Sequence, residues 1–186
     1  MAASFEGLQF VISGGAGAIG RACARDLLAR GADVLLVDID AQRLGATAAE
    51  LGGATRVATH VSRLASPPEA AAALDAARRP VHGLIHMAGV FEPDPLDPEN
   101  HAVYERAIAS NLTNGYDLAV AFKARRDTRR TGRIVFCSSG AFRRGAPGYV
   151  AYSSAKAGVV GLTRALARAY APHTLASSTR RCFAAR

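Results

Sequence analysis

The chain of 186 residues is long enough for one globular domain, and its 49% apolar and 20% charged residues supply a core and argue against global disorder. No run approaches about 18 consecutive apolar residues, which excludes a membrane span. The start, residues 1–7, has neither a basic head nor a long apolar stretch, so we expect no secretory signal. Cys23, Cys137 and Cys182 are far apart and odd in number, which excludes a disulfide framework and a Cys-x-x-Cys metal site and favours a reducing cytoplasm.

The net charge of +8 arises from 23 basic and 15 acidic residues, and all the basic residues except Lys123 and Lys156 are arginine. A basic balance is compatible with nucleic-acid binding. The arginines are spread along the chain, however, with few aromatic residues among them, which does not support a stacking platform for single strands. Solvated helix ends and loops are the favoured interpretation. A nucleic-acid binder, recognisable by salt-dependent retention on DNA, is the remote alternative.

Short apolar runs alternate with helical patterns along the chain. The predicted strands are residues 8–12, 33–37, 56–61, 84–87 and 133–137, and the predicted helices are residues 19–30, 41–51, 67–78, 100–126 and 151–170. Near-continuous apolar strands separated by helices predict the α/β class, with a doubly wound parallel sheet between two layers of helices. Residues 1–172 are predicted to be one domain, followed by an atypical tail, residues 173–186.

A glycine-rich turn, residues 13–20, lies directly between the first predicted strand and the first predicted helix. Small residues at such a turn let backbone N–H groups approach a pyrophosphate, and the helix N-terminus favours its negative charge. Many glycine-rich turns are only tight turns. The strand before and the helix after favour dinucleotide binding.

The second predicted strand leads into Asp38. A carboxylate there can accept hydrogen bonds from both ribose hydroxyls of an adenosine, and it would repel a 2′-phosphate. No basic residue stands at Gly17 or Ile39 to offset that repulsion, so NAD is favoured over NADP. The alternative is an ordinary strand-end aspartate in a turn.

The fifth predicted strand runs into Ser139, and Tyr152 and Lys156 follow one helical turn apart on the last helix. A nearby ammonium favours the phenolate of a tyrosine, which suits Tyr152 as a general base toward an alcohol or an acid toward a carbonyl. Ser139 could hold the substrate oxygen. Asn111 lies on the apolar face of the long helix, where a buried amide must find partners. A chance Tyr-x-x-x-Lys on an amphipathic helix and a satisfied core asparagine are the alternatives.

Together these residues resemble the short-chain dehydrogenase/reductase family, from Leu8 to about Pro172, and Tyr152–Gly158 is especially typical. The resemblance implies a Rossmann-type sheet and hydride exchange between a nicotinamide and a secondary alcohol or ketone. Tyr152 would be the acid/base, Lys156 would activate it and bind the nicotinamide ribose, Ser139 would orient the substrate, and Asn111 would hold a relay water. For the cofactor it implies contacts from Ser13, Gly14, Gly17, Ile19, Gly20, Asp38, Val61, Ala88, Gly89, Tyr152 and Lys156. Family members are usually dimers or tetramers built on two long helices, here residues 100–126 and 151–170.

Three departures from the family pattern matter, of which the first is mild. Ala18 replaces a glycine of the turn, His60 replaces an aspartate that contacts the adenine, and His86-Met87 replaces two asparagines before Ala88. The adenine contact and the ties of the central sheet are therefore expected to differ. The histidines at 60, 82 and 86 match no common metal-ligand spacing, so we expect no metal site.

The end of the chain departs more strongly. After Pro172 the family continues with further strands and a substrate-binding lid, whereas residues 173–186 are rich in Ser, Ala and Arg without strand periodicity. We therefore predict a truncated chain whose fifth strand presents an unpaired edge. The leading hypothesis is an NAD-dependent enzyme for a small or medium secondary alcohol or ketone. The alternatives are a non-catalytic nucleotide-binding remnant and an NADPH-dependent reductase of acyl-carrier-linked ketones, against which Asp38 argues. The sequence does not identify the substrate.

Overall fold

The computed structural model describes residues 4–53, 55–171 and 175–181 of the chain. They form one parallel sheet, with strands in the order β3-β2-β1-β4-β5-β6 and helices between them. The strands are β1 (Gln9–Ser13), β2 (Asp33–Asp38), β3 (Val57–Val61), β4 (Val81–His86), β5 (Gly132–Ser138) and β6 (Leu175–Arg181). The helices are α1 (Ala18–Ala29), α2 (Ala41–Glu50), α3 (Pro67–Asp75), α4 (Ala102–Ile108), α5 (Asn114–Arg125), α6 (Ala141–Arg144) and α7 (Val150–Tyr170).

Two hydrophobic cores lie on opposite faces of the sheet, because successive strand residues point to opposite sides. Val11 and Leu35 face α3, α5 and α7, whereas Ile12 and Leu36 face α1 and α2. Strands buried on both faces read as continuous apolar runs, which is the pattern that predicted a parallel sheet. The predicted doubly wound α/β fold is confirmed. The strand order reverses between β1 and β4, and ligands of open α/β sheets bind in the crevice at such a point.

The prediction that β5 presents an unpaired edge was wrong. Residues 175–181 form β6, which pairs in parallel with β5 along its whole length, from Gly132 opposite Leu175 to Ser138 opposite Arg181. Backbone N–H and C=O groups make a parallel ladder, so a strand can form where side chains show no alternation. Residues 172–174 and 182–186 of the predicted tail lie outside the described residues.

The single helix predicted over residues 100–126 was also wrong. It is divided into α4 and α5 by a π-helical turn, Ala109–Thr113, which contains Asn111. The Asn111 side chain donates to the carbonyl of Ala107 (3.0 Å), and the Asn114 side chain donates to that of Ser110 (2.8 Å). Amides that occupy carbonyls four residues earlier compete with the regular helix ladder. π-helical turns within helices are frequent at functional sites.

Other strands and helices differ from the predicted ranges by a few residues at their ends. β4 begins at Val81, earlier than predicted, because the pattern is interrupted at His82 and Gly83 although the backbone continues in the sheet. α3 ends at Asp75, and its last backbone bonds are made by Ala76 and Ala77 before Pro80. The short α6 was not predicted.

A buried histidine joins the two central strands below the crevice. The Nδ1 of His86, at the end of β4, lies 2.7 Å from the hydroxyl of Ser13, at the end of β1. The side chain of Asn114, at the start of α5, also interacts with the ring and opposes the dominant effect of burial, which lowers the pKa of His86 to about 3. The Lys156 ammonium acts in the same direction as burial. The ring is therefore neutral, and its Nδ1 and the Ser13 hydroxyl share one hydrogen bond.

We predict that Gly83→Ala destabilises the fold. A Cβ at Gly83 would lie 2.5 Å from the ring of Phe10, which is buried on β1. Overpacking of this kind costs about 1–3 kcal/mol. Gly45→Ala is the control, because a Cβ there, in the middle of α2, meets open space and should stabilise the helix by about 0.5–1 kcal/mol. Equal thermal midpoints for the two variants would contradict the prediction.

We predict that His86 makes the fold sensitive to acid. The unfolded chain takes up a proton at His86 below pH 6.5, the ordinary pKa, whereas the folded chain resists until about pH 3, so stability falls as pH falls through this window. In His86→Asn the free energy of unfolding should fall less between pH 6.5 and 4, by up to about 3 kcal/mol. Denaturant titrations at several pH values measure this. His101→Asn, which alters an exposed imidazole, is the control, and a wild-type slope in His86→Asn would refute the assignment.

Candidate active site

Two adjoining cavities open at the carboxyl ends of β1, β2 and β4. The larger, of about 300 Å³, contains residues of the glycine-rich turn and the end of β2. The smaller, of about 160 Å³, contains residues of β5 and α7. Met87, Gly89 and Val90, which follow β4, line both. The cavities therefore form one continuous trough across the reversal in strand order, which we call the crevice.

The glycine-rich turn packs tightly against the segment after β4. Gly14 has a φ of +67°, and a Cβ there would lie 2.6 Å from the backbone nitrogen of Ala88. Only glycine fits that conformation and approach without strain. Gly17 is the N-cap residue of α1 and lines the larger cavity, and no side chain caps the helix or places a carboxylate in its first turn. The positive end of α1 therefore lies at the crevice without a capping side chain or a carboxylate in its own first turn.

Asp38 and a guanidinium share the wall of the larger cavity. The Asp38 carboxylate accepts hydrogen bonds from the backbone N–H groups of Ala16 (3.0 Å) and Ile39 (2.8 Å), so it joins the glycine-rich turn to the end of β2. Arg43, on α2, donates to the carbonyl of Ala16 (3.3 Å) and lines the same cavity, as does Arg63. Gly17 and Ile39, the two positions at which a basic residue was expected to matter, carry none. The fold brings basic groups to this wall from α2 and from the segment after β3.

Of the remaining residues expected to contact a cofactor, some line the cavities and others are buried beneath the glycine-rich turn. Ala88 and Gly89 line the larger cavity, Ile19 lines the smaller, and Val61 is 54% exposed in a neighbouring depression with His60. Ser13 is fully buried with its hydroxyl against His86, and Gly20 packs on the carbonyl of Gly14. Ser13 and Gly20 therefore shape the turn from beneath and do not line the two cavities.

Lys156 is a buried cation in the wall of the smaller cavity. Only 6% of the residue is exposed, and its ammonium donates to the carbonyl of Cys137 (3.1 Å) at the end of β5. Burial lowers the pKa of Lys156 to about 8. The backbone at Lys156 is held by Ser138, whose hydroxyl donates to the Lys156 carbonyl (2.8 Å) and ties α7 to β5.

Tyr152 lies in the same cavity, one turn before Lys156 on α7. The Lys156 Nζ lies 5.6 Å from the centre of the Tyr152 ring. The ring of Phe91 packs on the tyrosine in a T-shaped arrangement, with centroids 4.8 Å apart. The predicted pair is thus brought together at the mouth of the crevice, and both side chains line the cavity.

Asn111 presents an unsatisfied acceptor to this pair. Its amide nitrogen donates to the carbonyls of Ala107 and Val90, both at 3.0 Å, but its Oδ1 is buried with no hydrogen-bond partner among the described residues. A Cβ at Gly89 would collide with that Oδ1 and lie 3.6 Å from the Lys156 ammonium. The lack of a side chain at Gly89 thus lets the Asn111 amide pack against the segment after β4, close to the Lys156 ammonium.

Ser139 is placed differently from the other predicted residues. It follows β5 and is half-buried, and its hydroxyl accepts a hydrogen bond from the backbone nitrogen of Ala141 (3.2 Å) at the start of α6. Ser138, not Ser139, is among the residues that line the smaller cavity. Ser139 thus lies beside a short helix and is not among the residues that line the two cavities.

Sequence reasoning missed the loop that closes the far side of the smaller cavity. Phe91 stacks on Tyr149 with centroids 4.2 Å apart and planes inclined by 4°. The Asp94 carboxylate accepts from the backbone nitrogen of Ala151 at the start of α7 (3.0 Å), and the Asp94 nitrogen donates to the carbonyl of Gly148 (2.7 Å). The loop before α4 and the N-terminus of α7 are therefore fastened together around Tyr152. No sequence periodicity signals these contacts.

The polar groups of the crevice suit a dinucleotide. The uncapped end of α1 suits a pyrophosphate, the Asp38 carboxylate suits ribose hydroxyls, and the orphaned Asn111 Oδ1 marks a polar subsite at the other end. Within residues 4–53, 55–171 and 175–181, no cluster of three His, Cys, Asp or Glu side chains could hold a metal ion. No helix in the same ranges combines the length and apolarity needed to cross a membrane.

Comparison with known proteins places this crevice in a family. A family model described as short chain dehydrogenase matches residues 9–179. A 2-dehydro-3-deoxy-L-rhamnonate dehydrogenase (NAD(+)) from Sphingomonas sp. is 33% identical over 179 residues, covering 90% of this chain and 68% of the relative. A galactitol 2-dehydrogenase from Agrobacterium fabrum is 30% identical, covering 88% of this chain and 64% of the relative.

Solved structures agree with the sequence relatives. The crystal structure of a short-chain dehydrogenase/reductase, glucose/ribitol dehydrogenase, from Brucella melitensis matches with a TM-score of 0.89 and 30% identity, covering 97% of this chain and 75% of that chain. Similar curated relatives are longer than this chain, which covers 71% of one from Sinorhizobium fredii and 63% of one from Cereibacter sphaeroides. The family match, the relatives and the architecture agree, and the chain belongs to the short-chain dehydrogenase/reductase family of oxidoreductases.

Proposed function

We propose that the protein transfers a hydride between NAD(H) and a secondary alcohol or ketone, with Tyr152 as the acid/base. The observation that carries the proposal is the approach of the buried Lys156 ammonium to the Tyr152 ring, in a cavity continuous with the one that contains Asp38. When bound, the nicotinamide would supply the hydride acceptor or donor, and the protein would manage the accompanying proton.

The proton chemistry follows from the charge of Lys156. An alcohol that loses hydride must also lose its hydroxyl proton, and a phenolate can accept it. The Lys156 ammonium is nearly buried beside the Tyr152 ring, so its charge acts on neighbouring groups with little water between them. Its bond to the Cys137 carbonyl uses one of the three ammonium hydrogens, which leaves others to contact the tyrosine or a ribose hydroxyl.

Asn111 and Ser139 would serve the same step. The Asn111 Oδ1 is a buried acceptor without a partner among the described residues, and Asn111 lines the same cavity as Lys156, where a water could connect Lys156 to the solvent. The Ser139 hydroxyl, beyond the end of β5, would donate to the substrate oxygen. Its bond from Ala141 uses only acceptor capacity and is compatible with that role.

The cofactor preference depends on opposing charges in one wall. The Asp38 carboxylate would accept hydrogen bonds from the adenosine ribose and repel a 2′-phosphate, whereas Arg43 and Arg63 would attract that phosphate. Asp38 is held by the Ala16 and Ile39 N–H groups at the point where the ribose would lie, so its effect should dominate. We therefore propose NAD as the preferred cofactor. The relative from Sphingomonas sp. is named as an NAD(+) enzyme.

Secondary alcohols are the proposed substrate class, and relatives are named as alcohol-oxidising enzymes, among them a galactitol 2-dehydrogenase and a D-threitol dehydrogenase. Assembly into dimers or tetramers through the helices of residues 100–126 and 151–170 stays a prediction. Tyr104 and Tyr116, which are 48% and 52% exposed on α4 and α5, belong to that surface.

We predict that Tyr152→Phe lowers kcat by at least about 100-fold, because the variant keeps the ring against Phe91 but lacks the hydroxyl that exchanges the proton. The assay follows reduced-nicotinamide absorbance with NAD and galactitol, D-threitol or 1-phenylethanol. Calorimetry should give the same NAD affinity for both proteins. Tyr104→Phe, which removes a hydroxyl from an exposed tyrosine on α4, should behave like the wild type.

These two measurements also separate the alternatives. Undiminished turnover by Tyr152→Phe would reject the proton-transfer role. NAD binding by the wild type without turnover of any of the three alcohols would favour a nucleotide-binding remnant. A wild type that neither binds NAD nor turns over any of the three alcohols would reject the proposed function altogether.

We predict that the wild type binds NAD more tightly than NADP and that two substitutions move this ratio in opposite directions. Asp38→Asn should lower the preference for NAD over NADP by about tenfold or more, since a hydrogen bond to a charged group contributes about 1.5–3 kcal/mol. Arg43→Gln should widen it, because the cavity wall loses a cation beside Asp38. Dissociation constants from calorimetry test both. Equal affinity of the wild type for NAD and NADP would contradict the prediction.

A further inference from the structure

An aromatic side chain lies exposed beside the proposed acid/base. Phe91 is 63% exposed, although its ring touches Tyr152 edge-on and stacks face-on against Tyr149. One face of the Phe91 ring is thus covered by Tyr149, and the ring also lines the smaller cavity. We call Phe91 and Tyr149 the aromatic platform.

The platform is held in place from both sides. Asp94 fastens its loop to Gly148 through the backbone and to Ala151 through its carboxylate, at 2.7 and 3.0 Å. Phe91 and Tyr149 therefore belong to two segments that are bound to each other on either side of the stack. A ring fixed in this way loses little conformational freedom when a ligand packs on it, which favours affinity.

The other residues that line the smaller cavity indicate which substituent of a substrate would suit the platform. The apolar part consists of Ile19, Met87 and Val90, and Lys156 is the one charged side chain among the lining residues that the structure describes. The other side-chain hydroxyl and amide groups there are those of Tyr152, Asn111 and Ser138. Asn111 and Tyr152 have roles in the proton transfer, and the Ser138 hydroxyl is bonded to the Lys156 carbonyl. Few polar groups are left to bind a chain of hydroxyls.

We propose that the aromatic platform is a specificity subsite for secondary alcohols and ketones that carry an uncharged aromatic ring next to the reacting carbon. The inference rests on the proposed function, because it assigns the substituent of the substrate on which Tyr152 acts. A ring on the platform continues the stack begun by Tyr149, and aromatic pairs prefer such stacked or edge-on arrangements. Its removal from water adds to the gain.

The experiment compares 1-phenylethanol with 2-butanol, which has a secondary hydroxyl but no ring. The wild type with NAD should show a kcat/KM at least about tenfold higher for 1-phenylethanol. In Phe91→Leu, which keeps apolar bulk without a ring, this ratio should fall toward unity. Phe91→Tyr should restore it, because the ring returns. Phe5→Leu is the control and should keep the wild-type ratio. Phe5 lies at the opposite end of the sheet, where its backbone N–H donates to the carbonyl of Arg30.

A binding measurement distinguishes the failure of this inference from the failure of the proposed function. Saturation-transfer NMR with the NAD-loaded protein detects 1-phenylethanol and 2-butanol directly, whether or not they react. Preferential binding of 1-phenylethanol that Phe91→Leu abolishes, without turnover, supports the platform and rejects the proposed activity. Turnover of both alcohols with similar kcat/KM in the wild type, or an unchanged ratio in Phe91→Leu, rejects the platform and leaves the activity standing. No binding of 1-phenylethanol rejects the platform.

Discussion

The site depends on one constraint: an ammonium group must be held almost without water at the end of a parallel sheet. The Lys156 side chain is 6% exposed, and burial lowers its pKa to about 8. Such a charge is tolerated only where fixed dipoles replace its lost hydration, and the Cys137 carbonyl supplies one of them. Three other features lie around this cation: the Ser138 bond to the Lys156 backbone, the glycine at position 89 and the orphaned acceptor of Asn111. Low exposure strengthens the field that it exerts on Tyr152.

The geometry of the crevice extends this local arrangement to a larger ligand. Parallel strands with the order found here leave a cleft where the order reverses, and the turn after β1 and the segment after β4 meet there. Gly14 lets the two backbones approach, and the buried Ser13–His86 contact holds the strand ends together beneath them. His86 thus ties the two strands together as a neutral ring.

Much of this arrangement could be predicted from sequence, for a physical reason that also sets the limit. Tyr152 and Lys156 share a helix, so their spacing alone fixes that they lie on one side, and Asp38 lies at the end of an apolar strand. Arg43 and Phe91 reach the cavities through contacts between distant segments, which no local pattern encodes. The pairing of β6 with β5 escaped prediction because backbone hydrogen bonds made it without side-chain alternation. The interruption of the long helix depended on where two asparagine amides found carbonyls.

The π-helical turn at Ala109–Thr113 changes the direction in which the side chains of α5 face relative to those of α4. A regular helix advances by about 100° per residue, so one additional residue in a single wide turn rotates everything after it by that angle. Asn111 can therefore point to the crevice while Leu118 and Phe122, further along, remain packed in the core. Loss of a single residue in this stretch would turn either the amide or the apolar stripe to the wrong side. The length of this segment is thus as tightly fixed as the identity of its side chains.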